Sequence, residues 1–524
     1  MLFIAFSLFA ILAQTSPISD DLSARVQRVV EIFDNGRKSL GVPGMAVGFV
    51  GGPTIDKERP VWIKGFGHRS YVTKEPFTEN TLFGIASNSK LMTGHVLALL
   101  AEEGKLDLNT PINRYINVSF TDEELNDEIN LIDLVSHRTG IPNRFHFYSL
   151  DIPMSELISE FEQTKPVGKF RESFYYNNYA FELAGVIANR VLQLPSDDGF
   201  DPFYTWRELM KHRIFDALNM SSTTVSFVQY MTDKDIAFSH SVFAKDDGSN
   251  DWLVSQHKQS SREYILKTVG PAAGVFTCMK DFTKWLSYQL DMAAGTAEQL
   301  IVSKESHNVI FSNHNKYSSN DGMSYGLGVR IQNHRGVRMY WHTGVLPEHN
   351  TLTCIFPDNG MAISFFLNSL VPDEFLESCS RIVDVLIFGD SAESFNQTVS
   401  SIVNSVIHNK KAIATKNNEY QQNNKQNSKL SLSADEYAGV FHFTEIPDVQ
   451  FESKIISDSP LTLQFSPLNS YPTAVMADSN FILQHWSEDT FVSVIEGQKF
   501  FNSGLFSFNI DSGIVKNVSL IHVI

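Results

Sequence analysis

Ser87 and Lys90 stand three residues apart in Phe83-Gly-Ile-Ala-Ser87-Asn-Ser-Lys90-Leu-Met-Thr, directly ahead of a strongly apolar run. At a helix start this spacing puts both side chains on one face. The unpaired N–H groups and the positive dipole end there favour negative charge on a serine oxygen and on a carbonyl oxygen it attacks. A lysine desolvated beside another cation loses proton affinity and can take the serine proton. The pair is therefore a candidate nucleophile and activator. A second copy, Ser255-Gln-His-Lys258, lies in a polar stretch with no apolar helix after it and is read as chance.

Two further segments carry groups suited to the same chemistry. Phe174-Tyr-Tyr176-Asn-Asn178-Tyr-Ala-Phe-Glu-Leu-Ala-Gly185 places a Tyr-x-Asn before a helical pattern. The phenol suits proton shuttling and the amide suits orientation of a substrate. The residues alone leave two registers, Tyr175/Asn177 and Tyr176/Asn178, and a buried aromatic cluster with one capping Asn is the bland alternative. Tyr115-Ile-Asn117 has the same form, but its Asn sits in a glycosylation sequon. Tyr340-Trp-His342-Thr343-Gly344-Val345 ends a strand entered through the turn His334-Arg-Gly336. On a strand beside the serine, the N–H groups of Ser87 and Val345 would bind an oxyanion, and the bare Gly344 would let a substrate approach.

Other constellations are weaker. Gly322-Met-Ser324-Tyr-Gly326 fits a nucleophile elbow, which needs a buried strand before it and a helix after it. Here a polar stretch precedes it and a strand pattern follows. Asp133, Ser136 and His137 are too close in sequence for triad geometry, and His137 is expected to hydrogen-bond a loop. The 16 histidines show no metal-ligand spacing, so neither a metal nor a cofactor is expected.

These groups need a frame. Residues 22–40 read as a helix with Leu22, Val26, Val29, Val30 and Phe33 on one face, broken by Gly41-Val-Pro-Gly44. Met45–Val50 and Pro60–Gly67 read as strands, Leu91–Glu103 and Tyr179–Leu192 as helices. Gly326–Gln332, Val337–Trp341, Leu352–Phe356 and Met361–Leu367 read as strands again. Strands at both ends and helices between imply an α+β fold: an antiparallel sheet completed by both ends of the segment, flanked by helices, with a helical subdomain. Residues 406–433 include an almost purely polar run, read as a linker. Residues 434–524, rich in Phe, Val, Ile and Ser with turn residues between short runs, read as a small all-β domain.

The net charge is −17, from 42 basic and 59 acidic residues, which argues against a nucleic-acid or anionic-membrane surface. The apolar run Leu2–Ala13 fits a signal-peptide core, although no Lys or Arg precedes it, and cleavage is expected near Thr15 or Ser16. Residues 1–16 are thus read as a signal peptide, residues 17–405 as the main domain, and the protein as secreted, with no membrane span. Asn117, Asn219, Asn396 and Asn517 stand in sequons, expected on exposed loops. Three cysteines, Cys278, Cys354 and Cys379, allow at most one bridge.

Together, in this order and at spacings of roughly 90 and 165 residues, the three chemical segments are specific. The chain resembles the beta-lactamase-related serine hydrolases: class C beta-lactamases, D-Ala-D-Ala carboxypeptidases, D-aminopeptidases and family esterases. Pro43-Gly-Met-Ala-Val, Glu103-Gly-Lys-Leu-Asp, Leu134-Val-Ser-His-Arg-Thr-Gly-Ile-Pro142 and Tyr325-Gly-Leu-Gly328 carry the likeness further, over about residues 22–390. Within the family it resembles secreted animal members such as the gigasin-like shell matrix proteins. The resemblance implies the register Tyr176, Asn178 and Gly185. It implies Ser87 as the acylated nucleophile, Lys90 and Tyr176 as the proton-transfer pair, and Asn178 as the orienter of substrate and lysine. His342 stands where the lactamases carry lysine, so the expectation is a hydrolase of a small ester or peptide-like amide rather than a lactamase. The alternative expectation is a non-catalytic protein of the extracellular matrix that keeps the fold.

Overall fold

The structure, a computed structural model, describes residues 20–52, 59–143, 154–192, 203–244, 252–257, 270–298, 300–316, 322–346 and 349–424, and the strands of 439–522. The expected signal peptide lies outside the described residues. The framework is an antiparallel sheet of eight strands. In chain order these are β1 (Gly44–Gly51), β2 (Val61–Gly67), β3 (Asn315–Lys316), β4 (Ser324–Tyr325), β5 (Arg330–His334), β6 (Val337–Leu346), β7 (His349–Phe356) and β8 (Met361–Leu367). Their spatial order is β2-β1-β8-β7-β6-β5-β4-β3. The N-terminal strand β1 pairs with the late strand β8, Met45 opposite Leu367 and Gly51 opposite Met361. Both ends of the segment therefore complete one sheet, as the order of strand and helix patterns implies.

One face of the sheet is covered by α1 (Asp20–Ser39), α5 (Cys379–Leu386) and α6 (Ala392–Asn424). In α1 the buried residues Val26, Val29, Val30 and Phe33 recur at helical spacing, and Phe33 stacks on Phe365 of β8. Arg37 in its last turn donates to the carbonyls of Val42 and Pro43, satisfying the chain where it leaves the helix. The other face carries α2 (Ser89–Glu102), α3 (Asn178–Leu192), α4 (Met279–Ala294) and the helical region between them. From Ser89 to Leu100 every residue of α2 is buried, so this helix runs through the interior and is apolar nearly all round. β1 meets α4 closely. A Cβ at Gly48 would lie 2.6 Å from Met279 Sδ, so the bare glycine lets strand and helix approach.

Two expectations are corrected. Residues 326–329 are not strand: Gly328 has φ 89°, and the segment wedges against α2, with Gly94 lying under the Leu327 carbonyl. The polar run after residue 405 is not all linker, because α6 continues to Asn424. Its first half is anchored by the buried residues Phe395, Val399 and Val403. Once a helix is nucleated by packing, Lys, Gln, Glu and Asn extend it at little cost. Residues 425–438 lie outside the described residues.

Strands between Gly439 and His522 form a second antiparallel sheet, whose first and last strands lie alongside each other. Cys354 of β7 and Cys379 of α5 are joined by a disulfide, and Cys278 is a buried free thiol. Asn117 and Asn219 are exposed outside regular elements, but Asn396 is exposed on helix α6 and Asn517 lies within a strand, not on loops. Among the described residues no helix is long and apolar enough to cross a membrane, and no cluster of ligands suits a metal ion.

Candidate active site

Ser87 sits in a single helical turn, Ala86–Asn88, that leads directly into α2. The turn is tight. Ala86 adopts φ 51°, a left-handed conformation unfavourable for a residue with a Cβ. Its surroundings hold it there. Asn88 Nδ2 donates to Thr351 Oγ1 at 2.7 Å, Thr351 Oγ1 donates to the Ile85 carbonyl at 3.2 Å, and the Val275 N–H donates to Ser89 Oγ at 3.1 Å. The serine is thus tied to β7 on one side and to residues 270–277 on the other.

Lys90 is completely buried, one helical turn on, and reaches back to three oxygens. Its Nζ lies 3.1 Å from Ser87 Oγ, 2.5 Å from Asn178 Oδ1 and 3.0 Å from the Ala272 carbonyl. Tyr176 donates its phenol proton to Ser87 Oγ at 2.7 Å. The structure therefore brings Ser87, Lys90, Tyr176 and Asn178 together and selects the second of the two registers. Tyr175 and Asn177 do other work: Asn177 Nδ2 donates to the carbonyls of Ile141 and Pro142. Burial draws the Lys90 amine down to about 7, opposed by the charge of Glu182. A lysine in that range is available as a base near neutral pH.

β6 closes the other side. A Cβ on Gly344 would lie 2.5 Å from the Ile85 carbonyl and 3.1 Å from Ala86 Cβ. Gly344 thus lets the strand itself approach the turn that carries Ser87. Leu346 opposes His349 across a two-residue connection, so Val345, one position out of step, turns its N–H away from β7. Its side chain is exposed. Thr343 is half-buried beside it.

His342 is buried, and both ring nitrogens are engaged. Nδ1 bonds the Thr343 carbonyl, which can only accept, so Nδ1 carries the proton and Nε2 accepts from Tyr325 OH at 2.7 Å. Burial, with the positive charges of Arg330 and Lys90, holds the ring well below the usual histidine range. It is held as a neutral imidazole. Arg330 does not replace the missing cation. It stacks over Trp341 at 4.7 Å and bonds Glu377, and Trp341 faces the side of β6 opposite His342.

Several contributors were missed or only half seen in the sequence. Tyr325 belongs to the Tyr-Gly-Leu-Gly likeness, but its bond to His342 leaves no mark in the sequence. The turn Gly270–Ala273 supplies a carbonyl to Lys90 and another, Pro271, to Thr93 Oγ1. No periodic signal marks a backbone acceptor of this kind. His137, set aside as a triad member, accepts the Asn177 N–H on Nδ1 at 3.1 Å, and its ring centroid lies 4.3 Å from that of Tyr176. Asp133 binds Arg138 and Arg171. Ser324 lies in strand β4 with no helix after it, so the elbow geometry is absent. His334-Arg-Gly336 is the hairpin turn between β5 and β6, with Arg335 and Gly336 both at positive φ. Tyr115 OH is occupied with the Asp107 backbone.

The site thus comprises a serine at the head of a buried helix, a lysine one turn on, a tyrosine from the segment just before α3 and the end of strand β6 opposite. The Beta-lactamase family model matches residues 29–385, and the chain belongs to that family. It is 24% identical over 365 residues to the "Unguisins hydrolase ungD'" of Aspergillus campestris, covering 66% of this chain but only 61% of that protein. It is 27% identical over 240 residues to Gigasin-6 of Magallana gigas, covering 44% of this chain and 72% of that protein. Its fold is similar to that of the octameric penicillin-binding protein homologue from Pyrococcus abyssi, with a TM-score of 0.58 at 19% identity, over 95% of this chain and 99% of that one.

Proposed function

We propose that the protein is a secreted serine hydrolase that acts through an acyl-enzyme on a small, uncharged ester or peptide-like amide. The convergence of Lys90 Nζ and Tyr176 OH on Ser87 Oγ carries this reading. As a free amine, Lys90 has two N–H donors for Asn178 Oδ1 and Ala272 O, and one lone pair for the serine proton. Ser87 Oγ then attacks the carbonyl carbon, and the N–H groups of Ser87 and Val345 receive the oxyanion. Tyr176, on the other side of Oγ, relays the proton to the leaving group, and water repeats the sequence to release the acid. The hydrolase name of the Aspergillus relative supports a hydrolytic reaction.

The preference for uncharged substrates follows from His342, whose neutral ring offers a carboxylate no ion pair. The test is labelling with a fluorophosphonate probe and mapping of the adduct by mass spectrometry. The adduct is expected on Ser87. An adduct on Ser324, or none in the folded protein, overturns the assignment.

A further inference from the structure

Glu182 is completely buried on α3, one turn beyond Asn178. Its Oε1 accepts the Ala272 N–H at 3.1 Å, and the carbonyl of that same residue accepts from Lys90 Nζ at 3.0 Å. Its Oε2 is buried without a hydrogen-bond partner. Nothing in the acyl-transfer scheme uses this carboxyl. An apolar residue of similar length would fill the space without desolvating an acid, so packing does not account for it.

We propose that Glu182 is a positioning residue for Lys90: through the Ala272 peptide it fixes where the amine points, and its buried carboxyl is the acidic partner of that amine. The inference rests on the reading of Lys90 as the base for Ser87. Asn178 and Glu182 lie on one face of α3, separated by one turn. The first holds Lys90 directly, and the second holds the peptide that Lys90 leans on. Two of the three oxygens around Nζ are therefore set from a single helix.

The electrostatics run in the same direction. Burial lowers Lys90 and raises Glu182 well above the usual carboxylate range, while each charge stabilises the other. The two groups are thus favoured as an ion pair or as a neutral pair, and they titrate together. The other titratable groups facing Lys90 are Ser87 and Tyr176, and the rings of His137 and His342, which burial keeps neutral. Arg330 acts on both histidines. Among the described residues, Glu182 is the acid that acts on Lys90.

The experiment uses the full chain, a neutral p-nitrophenyl ester, and the variants Glu182→Gln and Glu182→Leu. Gln keeps an oxygen for the Ala272 N–H but cannot carry charge. The acid limb of kcat/KM is expected to move to lower pH by about half a unit to one unit, with plateau kcat within about threefold of wild type. Leu also removes the acceptor, and plateau kcat is expected to fall by about tenfold or more with KM little changed. A Gln profile that superimposes on wild type overturns the proposal. So does a Gln variant that loses plateau rate with its acid limb unmoved. Titration of the Lys90 Cε resonance by NMR reads the same shift without turnover. Failure of the hydrolase reading and failure of this proposal are thus distinguishable.

Discussion

The phenol of Tyr325 donates to His342 Nε2 at 2.7 Å and occupies the last free lone pair of that imidazole. A buried ring so held cannot anchor a carboxylate. A neutral p-nitrophenyl ester is therefore expected to be turned over faster than a penicillin. His342→Lys should raise the penicillin-to-ester ratio of kcat/KM by about tenfold or more, since about 1.4 kcal/mol of added stabilisation suffices. Tyr325→Phe frees Nε2 for protonation and should raise the same ratio only at acid pH. Efficient penicillin turnover by the wild type would refute this account.

Ser87→Ala should lower kcat by about 10⁴-fold or more, and Lys90→Ala by a similar factor, because residues that act as one unit are not additive. Lys90 must be unprotonated to accept the serine proton. With its amine at about 7, kcat/KM should climb as pH rises through neutrality and then level off. A flat profile from pH 5 to 8 would remove Lys90 from the base role.

Acid should weaken the fold through a buried chain behind α2. His95 Nδ1 donates to the Leu91 carbonyl, Gln289 Nε2 donates to His95 Nε2, and His307 Nε2 donates to Gln289 Oε1. Burial lowers His95 to about 3 and His307 to about 4. Between these values and the ordinary histidine range the unfolded chain binds more protons, so stability drops as pH falls below about 6.5. The expected loss between pH 7 and pH 5 is about 1–2 kcal/mol for each ring. Urea midpoints at the two pH values measure it, and His95→Gln should flatten the dependence. Equal midpoints would mean that the rings are not held neutral.

The Cys354–Cys379 bridge closes a loop with a sequence separation of 25 and ties β7 to α5. Replacing both cysteines with alanine should cost about 3.5 kcal/mol by the loop-entropy relation. Thermal melting of oxidised wild type and the double variant checks this. Unchanged melting would show that the link constrains nothing.

Expression in a eukaryotic secretory host should yield a mature N-terminus near Ser16 or Pro17, with glycan on some of Asn117, Asn219, Asn396 and Asn517. N-terminal sequencing and glycopeptide mapping decide it. A cell-retained protein beginning at Met1 would reject the secretory reading.

Much of this was legible in the chain because it is written in periodicity and punctuation. The apolar spacing in α1, the break at Gly41–Gly44 and the apolar run of α2 correspond closely to the elements found. The Ser-Lys, Tyr-Asn and His-Thr-Gly segments converge because each ends or begins such an element. What stayed hidden depends on tertiary contact. The Tyr325 phenol, the Ala272 carbonyl and the Glu182 carboxyl act across elements far apart in sequence. The late reach of α6 was hidden for a related reason. Its polar residues have no pattern of their own and follow a helix whose packing lies upstream.

The pairing of β1 with β8 has a consequence in time. During synthesis Ser87 emerges early, while the strand that completes its sheet comes some hundreds of residues later. Until β8 is made, β1 has one neighbour and an open edge of unpaired backbone groups. Closing so long a loop adds little to the equilibrium cost, which grows only with the logarithm of length. The same closure slows folding, because distant contacts must meet before they reward the chain. The turn that carries Ser87 is braced by Thr351 of β7, so it reaches its final shape in that late event. A nascent chain stopped short of Leu367 therefore carries Ser87 and Lys90 without the wall that holds them.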